Sequence, residues 1–253
     1  LLTRAKQVDD YISYRHKIQH LPYRVISLTG SSAHMKVVDP YSNKEKEMIS
    51  FVSNDYLGLS HHPEVIKAGI DALEQYGAGA GASPLIGGHN FLHEQLEQEI
   101  AHFLKNEYAI TYTSGYAANC STLLAMMDKE DIAIMDMFTH ASVFDGCLCT
   151  NTKRFLHNNI DSLVHVLNNS KNFKNRFVII DGVYSQDGDI AFLDQIYAVC
   201  KEHDAFLIVD DAHGIGVLGK TGRGIIEDYG LLDKVDMITG TFSKAFGCVG
   251  GYA

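Results

Sequence analysis

Positive charge is in short supply. Lys and Arg total 21 against 31 Asp and Glu in 253 residues, a formal net charge of −10. A chain this acidic has no general electrostatic attraction for nucleic acid, and none is expected as a partner. Proline is scarce, at 4 residues beside 22 glycines, which excludes collagen-like and low-complexity classes. Long apolar runs are lacking: no stretch approaches the roughly 18 residues of a membrane span. The first ten residues, LLTRAKQVDD, have no apolar core of a secretory leader. The expectation is a soluble protein with no membrane partner. Five cysteines (Cys120, Cys147, Cys149, Cys200 and Cys248) contain no CxxC pair. Neither a zinc ribbon nor a disulfide framework is expected, no metal is assigned, and a reducing cytoplasm is the expected setting. What the chain does have is 46% hydrophobic residues, enough for a sizeable core and too many for disorder.

From about residue 60 onward, helix and strand patterns alternate. Pro63–Tyr76 places Val65, Ile66, Ile70 and Leu73 at helical spacing, with Pro in the first turn. Phe91–Leu104 repeats the pattern through Leu92, Leu96, Ile100 and Phe103. Short apolar runs at 108–113, 132–135, 177–181, 206–210 and 235–239 read as strands, with helices predicted over 116–127, 163–168 and 193–202. Such alternation predicts an α/β fold: a mostly parallel sheet with helices on both faces and a ligand crevice beyond the carboxyl ends of its strands. Residues 1–60 read separately, as a charged helical arm followed by a hairpin over 35–51 that turns at 40–44. The remainder, 61–253, reads as one large domain. Its last residues, Gly250-Gly251-Tyr252-Ala253, look like the start of another strand, so a fragment is expected.

Two glycine motifs invite nucleotide readings. Gly214 to Thr221 (GIGVLGKT) fits GxxxxGK[ST], but that phosphate loop needs a helix opening at its Lys-Thr, and Gly222 and Gly224 disfavour one there. Gly77 to Ala82 (GAGAGA) fits GxGxxA, yet it follows a helix where a dinucleotide fingerprint follows a strand. Its glycines still permit close backbone approach.

Strand ends carry a sharper set. Phe206–Asp210 is an apolar strand running into a carboxylate, with His213 three residues on. Such a buried carboxylate is costly unless something cationic meets it; taken alone, it could equally cap the next turn. Lys244 follows the strand predicted at 235–239, beside Thr241 and Ser243. Desolvation there would lower its pKa and make it a nucleophilic amine, whereas a lone lysine more often snorkels to solvent. Ser114-Gly115 starts a helix whose dipole favours an anion. His140, in THAS, could stack on a flat ligand, and Ser185 lies in a turn just beyond a strand. Together these are the parts needed to hold pyridoxal 5′-phosphate: a phosphate cradle, an acid for the ring nitrogen, a stacking partner and an activatable lysine.

The ordered motifs NDYLGLS (54–60), SGYAAN (114–119), THAS (139–142), DGVYSQDGD (181–189), VDDAHGIGVLG (209–219) and TGTFSKAFG (239–247) resemble the α-oxoamine synthases. These are fold-type I pyridoxal phosphate enzymes, and the resemblance covers essentially the whole chain. It implies the large domain of that fold. Lys244 would be the Schiff-base lysine, Asp210 the partner of the pyridinium nitrogen, and His213 with Ser185 the partners of the phenolic oxygen. His140 would stack on the ring and act near the substrate. Gly115, Tyr116 and Thr241 would contact the phosphate, and Asn54 and Ser83 would line the substrate site, with Arg24 a looser match.

The implied reaction condenses an amino acid with an acyl-CoA or carrier-bound acyl thioester. Lys244 removes the α-proton, the carbanion attacks the thioester, and CoA and then CO2 leave. NDYLGLSHHPEV points to the branch that joins alanine to a pimeloyl thioester in biotin synthesis. TFSKAFGCVGGY is shared with branches that use serine or glycine. A homodimer is implied as well. Two departures stand out. Ser83 precedes Pro84 where many relatives have arginine, and the sequence stops nine residues past Lys244, before the family's smaller C-terminal domain. Little or no turnover is expected of this length alone. The alternatives from other classes are a P-loop nucleotide hydrolase, which would protect the region of Lys220 on binding nucleotide, and an inactive binding fragment.

Overall fold

The computed structural model describes residues 2–20 and 24–253. The arm forms helix α1 (Leu2–Lys17), and a small antiparallel sheet follows, made of β1 (Ile26–Ser27), β2 (His34–Val38) and β3 (Glu45–Ile49). The expected hairpin is β2–β3, paired from Val38↔Glu45 to His34↔Ile49. Its turn is built on Asp39, whose Oδ1 accepts the amides of Tyr41 and Ser42.

Helices α2 (Pro63–Tyr76) and α3 (Phe91–Leu104) match the sequence expectation residue for residue. Pro63 opens α2, and Asn90 caps α3 by accepting the amides of Leu92 and His93. After them come β4 (Thr111–Tyr112), α4 (Gly115–Met126), β5 (Ile132–Asp136), α5 (Ala141–Gly146), β6 (Asn151–Phe155), α6 (Ile160–Asn168) and β7 (Arg176–Asp181). The chain closes with α7 (Leu193–Glu202), β8 (Phe206–Asp210), α8 (Ile225–Asp228), β9 (Met237–Thr241) and β10 (Gly251–Tyr252). The seven strands of the main sheet are ordered β4-β10-β9-β8-β7-β5-β6. Strands β9 to β6 run parallel, while β10 is antiparallel to both of its neighbours. The sheet is therefore mixed, and the strand expected at the chain's end sits inside it.

Alternation along β5 shows why the strands read as unbroken apolar runs. Ile132 and Ile134 pack into a core with α3, α6 and α7, while Ala133 and Met135 pack with Leu123 of α4 and Val143 of α5 on the other face. Burial of both faces leaves no polar positions to break the run. Among the described residues, no helix is long and apolar enough to cross a membrane. All five cysteines are free thiols.

The phosphate-loop reading fails on geometry. Gly214–Leu218 turns tightly, Gly216 N–H donating to Gly222 O, and α8 opens only at Ile225. The anion that the loop embraces is the chain's own: the Glu227 carboxylate accepts the amides of Thr221 and Arg223 and the Thr221 hydroxyl. Nor would a Cβ on Gly77, Gly79 or Gly81 meet anything among the described residues.

Candidate active site

In the parallel part of the sheet, carboxyl ends converge. Asp181 of β7 lies in register with Asp210 of β8, and Asp210 lies opposite Thr239 of β9. Beyond them opens a cavity of about 230 Å³ whose lining includes Lys244, His213, Asp210, Asp181, His140 and Ser185. Gly115, Tyr116, Thr241 and Ser243 complete its wall beside the start of α4.

Lys244 is half-buried, and its Nζ lies 2.8 Å from His213 Nε2. Burial lowers its pKa and outweighs the opposing pull of the Asp210 and Asp181 carboxylates, so the amine is activated as its sequence context suggests. Burial also pushes His213 down to about 4, helped by the charge of Lys244 and the proximity of His140. At neutral pH its imidazole is uncharged.

Asp210 is fixed from two sides. Its Oδ2 accepts Asn119 Nδ2 at 2.6 Å and its Oδ1 accepts the Ala212 amide at 3.1 Å. Asn119, fully engaged, also donates to Ser142 Oγ at 2.9 Å and accepts the Thr239 hydroxyl at 2.6 Å. Ser142 carries the network on to His140. Its hydroxyl lies 2.7 Å from His140 Nδ1, and its amide donates to the same nitrogen at 3.3 Å. Because a backbone amide only donates, Nδ1 is the acceptor and Nε2 carries the proton of the neutral ring. His140 thus caps α5 while presenting an N–H elsewhere. Asp181 Oδ1 in turn accepts the His140 amide at 3.3 Å. Burial, and then the adjacent Asp210 carboxylate, raise the Asp181 pKa well above the ordinary range.

At α4 the first amides are available to an anion. Ser114 takes Ala117 N–H on its hydroxyl and Ala118 N–H on its carbonyl, and Gly115 and Tyr116 border the cavity. A Cβ on Gly115 would come within 2.8 Å of Thr241 Cβ, so this wall closes only around glycine. The Thr241 hydroxyl donates to Gly250 O at 2.9 Å and so accepts the Ser243 hydroxyl, 2.7 Å away.

Three expected residues do not border the cavity. Arg24 is exposed with φ of 53°, and Ser83 is spent capping the turn at Pro84–Gly88 by accepting Leu85 N–H. Asn54 approaches only through Tyr56, whose hydroxyl is 3.4 Å from Asn54 Oδ1. Conversely, Asn119, Asp181 and Tyr56 carry site contacts to which sequence reasoning assigned no role. Asn119 has one legible signal: it stands one turn after Gly115, on the same side of α4.

The turn carrying Ser185 is anchored by a second histidine. His157 Nδ1 lies 2.9 Å from Asp136 Oδ1 and Nε2 2.8 Å from Asp189 Oδ2, with Phe138 stacked on the ring. Burial disfavours its charge, but hydrogen bonds and attraction from both carboxylates win and raise the pKa above 6.5. A raised folded-state pKa stabilises below the unfolded value and is lost as pH rises through the folded one. The melting temperature is therefore expected to fall as pH rises from 6 toward 9. His157→Gln should flatten that slope in thermal melts across the range; an equally steep slope in the variant would assign it to other groups.

The chain belongs to the aminotransferase class I and II family, whose model matches residues 46–253. Its sheet and strand-end cavity are those of the fold-type I large domain. It is 41% identical over 254 residues to 8-amino-7-oxononanoate synthase of Saccharophagus degradans, across 99% of this chain and 63% of that protein. Among solved structures, a serine palmitoyltransferase variant from S. paucimobilis with a PLP–myriocin aldimine bound superposes with a TM-score of 0.89 at 33% identity, covering 98% of this chain and 62% of that one. An 8-amino-7-oxononanoate synthase from Francisella tularensis gives a TM-score of 0.67 at 30% identity, over 80% and 56% of the two chains. The chain thus spans about three-fifths of the length of the relatives it matches.

Proposed function

We propose that this chain forms the cofactor-binding part of a pyridoxal 5′-phosphate-dependent acyltransferase of the α-oxoamine synthase type. Its proposed reaction is that of 8-amino-7-oxononanoate synthase, joining alanine to a pimeloyl thioester with loss of CO2 in biotin synthesis. The carrying observation is the meeting, at the sheet's carboxyl ends, of a desolvated Lys244 with neutral His213, buried Asp210 and the open start of α4.

These residues fit the cofactor. Gly115 and Tyr116 amides with Thr241 would hold its phosphate, Asp210 its ring nitrogen, and His213 with Ser185 its phenolic oxygen. His140 would cover the ring, and Lys244 would carry it covalently. When bound, the cofactor supplies an electron sink for a carbanion. The chain supplies the rest. Asp210, held by Asn119, keeps a proton on the ring nitrogen; Lys244, as free amine, takes the α-proton of the amino acid; and the Nε2–H of His140 offers a donor to a developing oxyanion. Asn54, which does not border the cavity itself, would act on the substrate side only through Tyr56.

A homodimer in the cytoplasm is part of this reading. The apolar stripe of α2 supports the dimer, with Ile66, Ile70 and Leu73 exposed by 47%, 53% and 62%. Free thiols support the compartment.

Borohydride reduction after incubation with pyridoxal phosphate should place the cofactor mass on the Lys244 peptide at near-unit stoichiometry. Lys244→Ala should abolish it. An unmodified Lys244 in protein shown to be folded would overturn the reading. Absorbance changes on adding alanine, but not serine or glycine, would support the substrate choice; a response to serine alone would move the chain to another branch of the family.

A further inference from the structure

His213 is held at both ring nitrogens. Nε2 faces Lys244 Nζ at 2.8 Å, and Nδ1 faces the Tyr56 hydroxyl at 2.7 Å across 157 residues of sequence. Tyr56 lies in the segment between the small sheet and α2, and Leu57, next to it, packs toward Gly216 of the turn beyond β8. Its ring is 6.1 Å from that of His213, tilted by 58°. The other charged or titratable groups around this imidazole are His140 and Lys244, with Asp210 two residues behind Ala212.

A neutral imidazole has one donor and one acceptor nitrogen, while an ammonium group can only donate. With Lys244 donating to Nε2, the ring proton must sit on Nδ1, and the Tyr56 oxygen accepts it. A ligand that needs a donor from Nε2, such as a phenolate oxygen, requires the opposite tautomer. A hydroxyl is the one type of partner that serves both, because it can turn from acceptor to donor.

We propose that Tyr56 is a positioning residue that lets His213 exchange tautomers as Lys244 gives up its proton. In the exchange Lys244 passes a proton to Nε2, Nδ1 passes its proton to the tyrosine oxygen, and the tyrosine's own proton goes to water. Tyr56 is 44% exposed, so water is at hand. Net, one proton leaves Lys244, the ring carries its proton on Nε2, and Tyr56 now donates to Nδ1. The amine is freed and the donor is turned toward the cavity in the same event. The ligand half of this scheme rests on the proposed function; the tautomer half does not.

Nitrogen-15 NMR of His213 tests it directly. In the cofactor-free chain His213 should show a protonated Nδ1 and a bare Nε2. Tyr56→Phe leaves the Nδ1–H without its partner, so the population should swing to the Nε2–H form. The pH midpoint for reductive methylation of Lys244 should then fall by about one unit, since an N–H now faces the ammonium. Addition of pyridoxal phosphate should produce the same swing in the parent chain and none in the variant. An Nε2–H form in the parent, or signals and midpoint unchanged in a folded Tyr56→Phe, would overturn the proposal. Failure of the parent to load cofactor would count against the proposed function instead, and the cofactor-free tautomer result would still decide the role of Tyr56.

Discussion

Asp210→Asn is expected to weaken pyridoxal phosphate binding by roughly 150- to 4,000-fold, while Asp211→Asn, one residue on, should leave it within a fewfold of the parent. The two carboxyls are adjacent in sequence and both buried, yet they differ in what surrounds them. Asp210 borders the cavity and is held by Asn119 and the Ala212 amide, an arrangement that steadies a negative charge. Removing that charge from a buried pair with a protonated ring nitrogen costs about 3–5 kcal/mol, which sets the range. Asp211 points the other way, with Oδ2 accepting the Ile225 amide and Oδ1 without a partner among the described residues. Burial raises its pKa well above the ordinary value, favouring the neutral acid. Asparagine resembles that acid in size and charge and keeps an acceptor for Ile225, so its stability cost should be about 1 kcal/mol or less. Fluorescence titration with the cofactor and thermal melts of both variants check this. Equal losses of binding would show that the pair acts as one unit.

Gly224→Ala should be the most damaging single methyl group. Gly224 has φ of 81° and ψ of −167°, a region open essentially to glycine alone. An added Cβ would also land on the Asp211 carboxylate, which Gly182 and Gly214 crowd from other sides. Backbone strain and overpacking each contribute about 1–3 kcal/mol, for a total of about 2–6 kcal/mol. That is a large part of a typical folding stability. Denaturant titration should show the midpoint displaced with its slope retained. Gly188→Ala provides the comparison: it too has positive φ, but its Cβ would meet nothing, so only the strain remains.

How far the sequence could be read follows from burial. Phe206–Asp210 was legible to the residue because its apolar run is buried on both faces of the sheet. Asn151–Phe155 was missed: at the sheet's edge only Phe155 is buried, and NTKRF carries no strand pattern. Helix α5, six residues with a glycine at its end, is too short to show a period. In the site, Lys244, Asp210 and His213 were legible because they stand at strand ends, where the topology puts ligands. Asn119, Asp181 and Tyr56 were not, since each acts through a contact made only by folding. The phosphate-loop pattern misled because glycines specify a turn that can hold an anion without specifying which anion fills it, and here Glu227 does.

Strand β10 has a consequence for the order of assembly. It follows β9 in sequence, yet it lies between β4 and β9, and Ile110 exchanges both backbone hydrogen bonds with Ala253. On a ribosome, strands β5 to β9 can pair as they emerge, but β4 has no neighbour in this sheet until residues 251–252 are made. Closing that gap joins segments some 140 residues apart, the kind of long-range pairing that slows folding. Gly251 lies so close to Ser114 and Gly115 that a Cβ there would be 2.5 Å from the Gly115 nitrogen. The anion cradle at the start of α4 is thus latched by a segment far downstream of it, and a nascent chain lacks this part of the binding wall until residues 250–252 have joined the sheet.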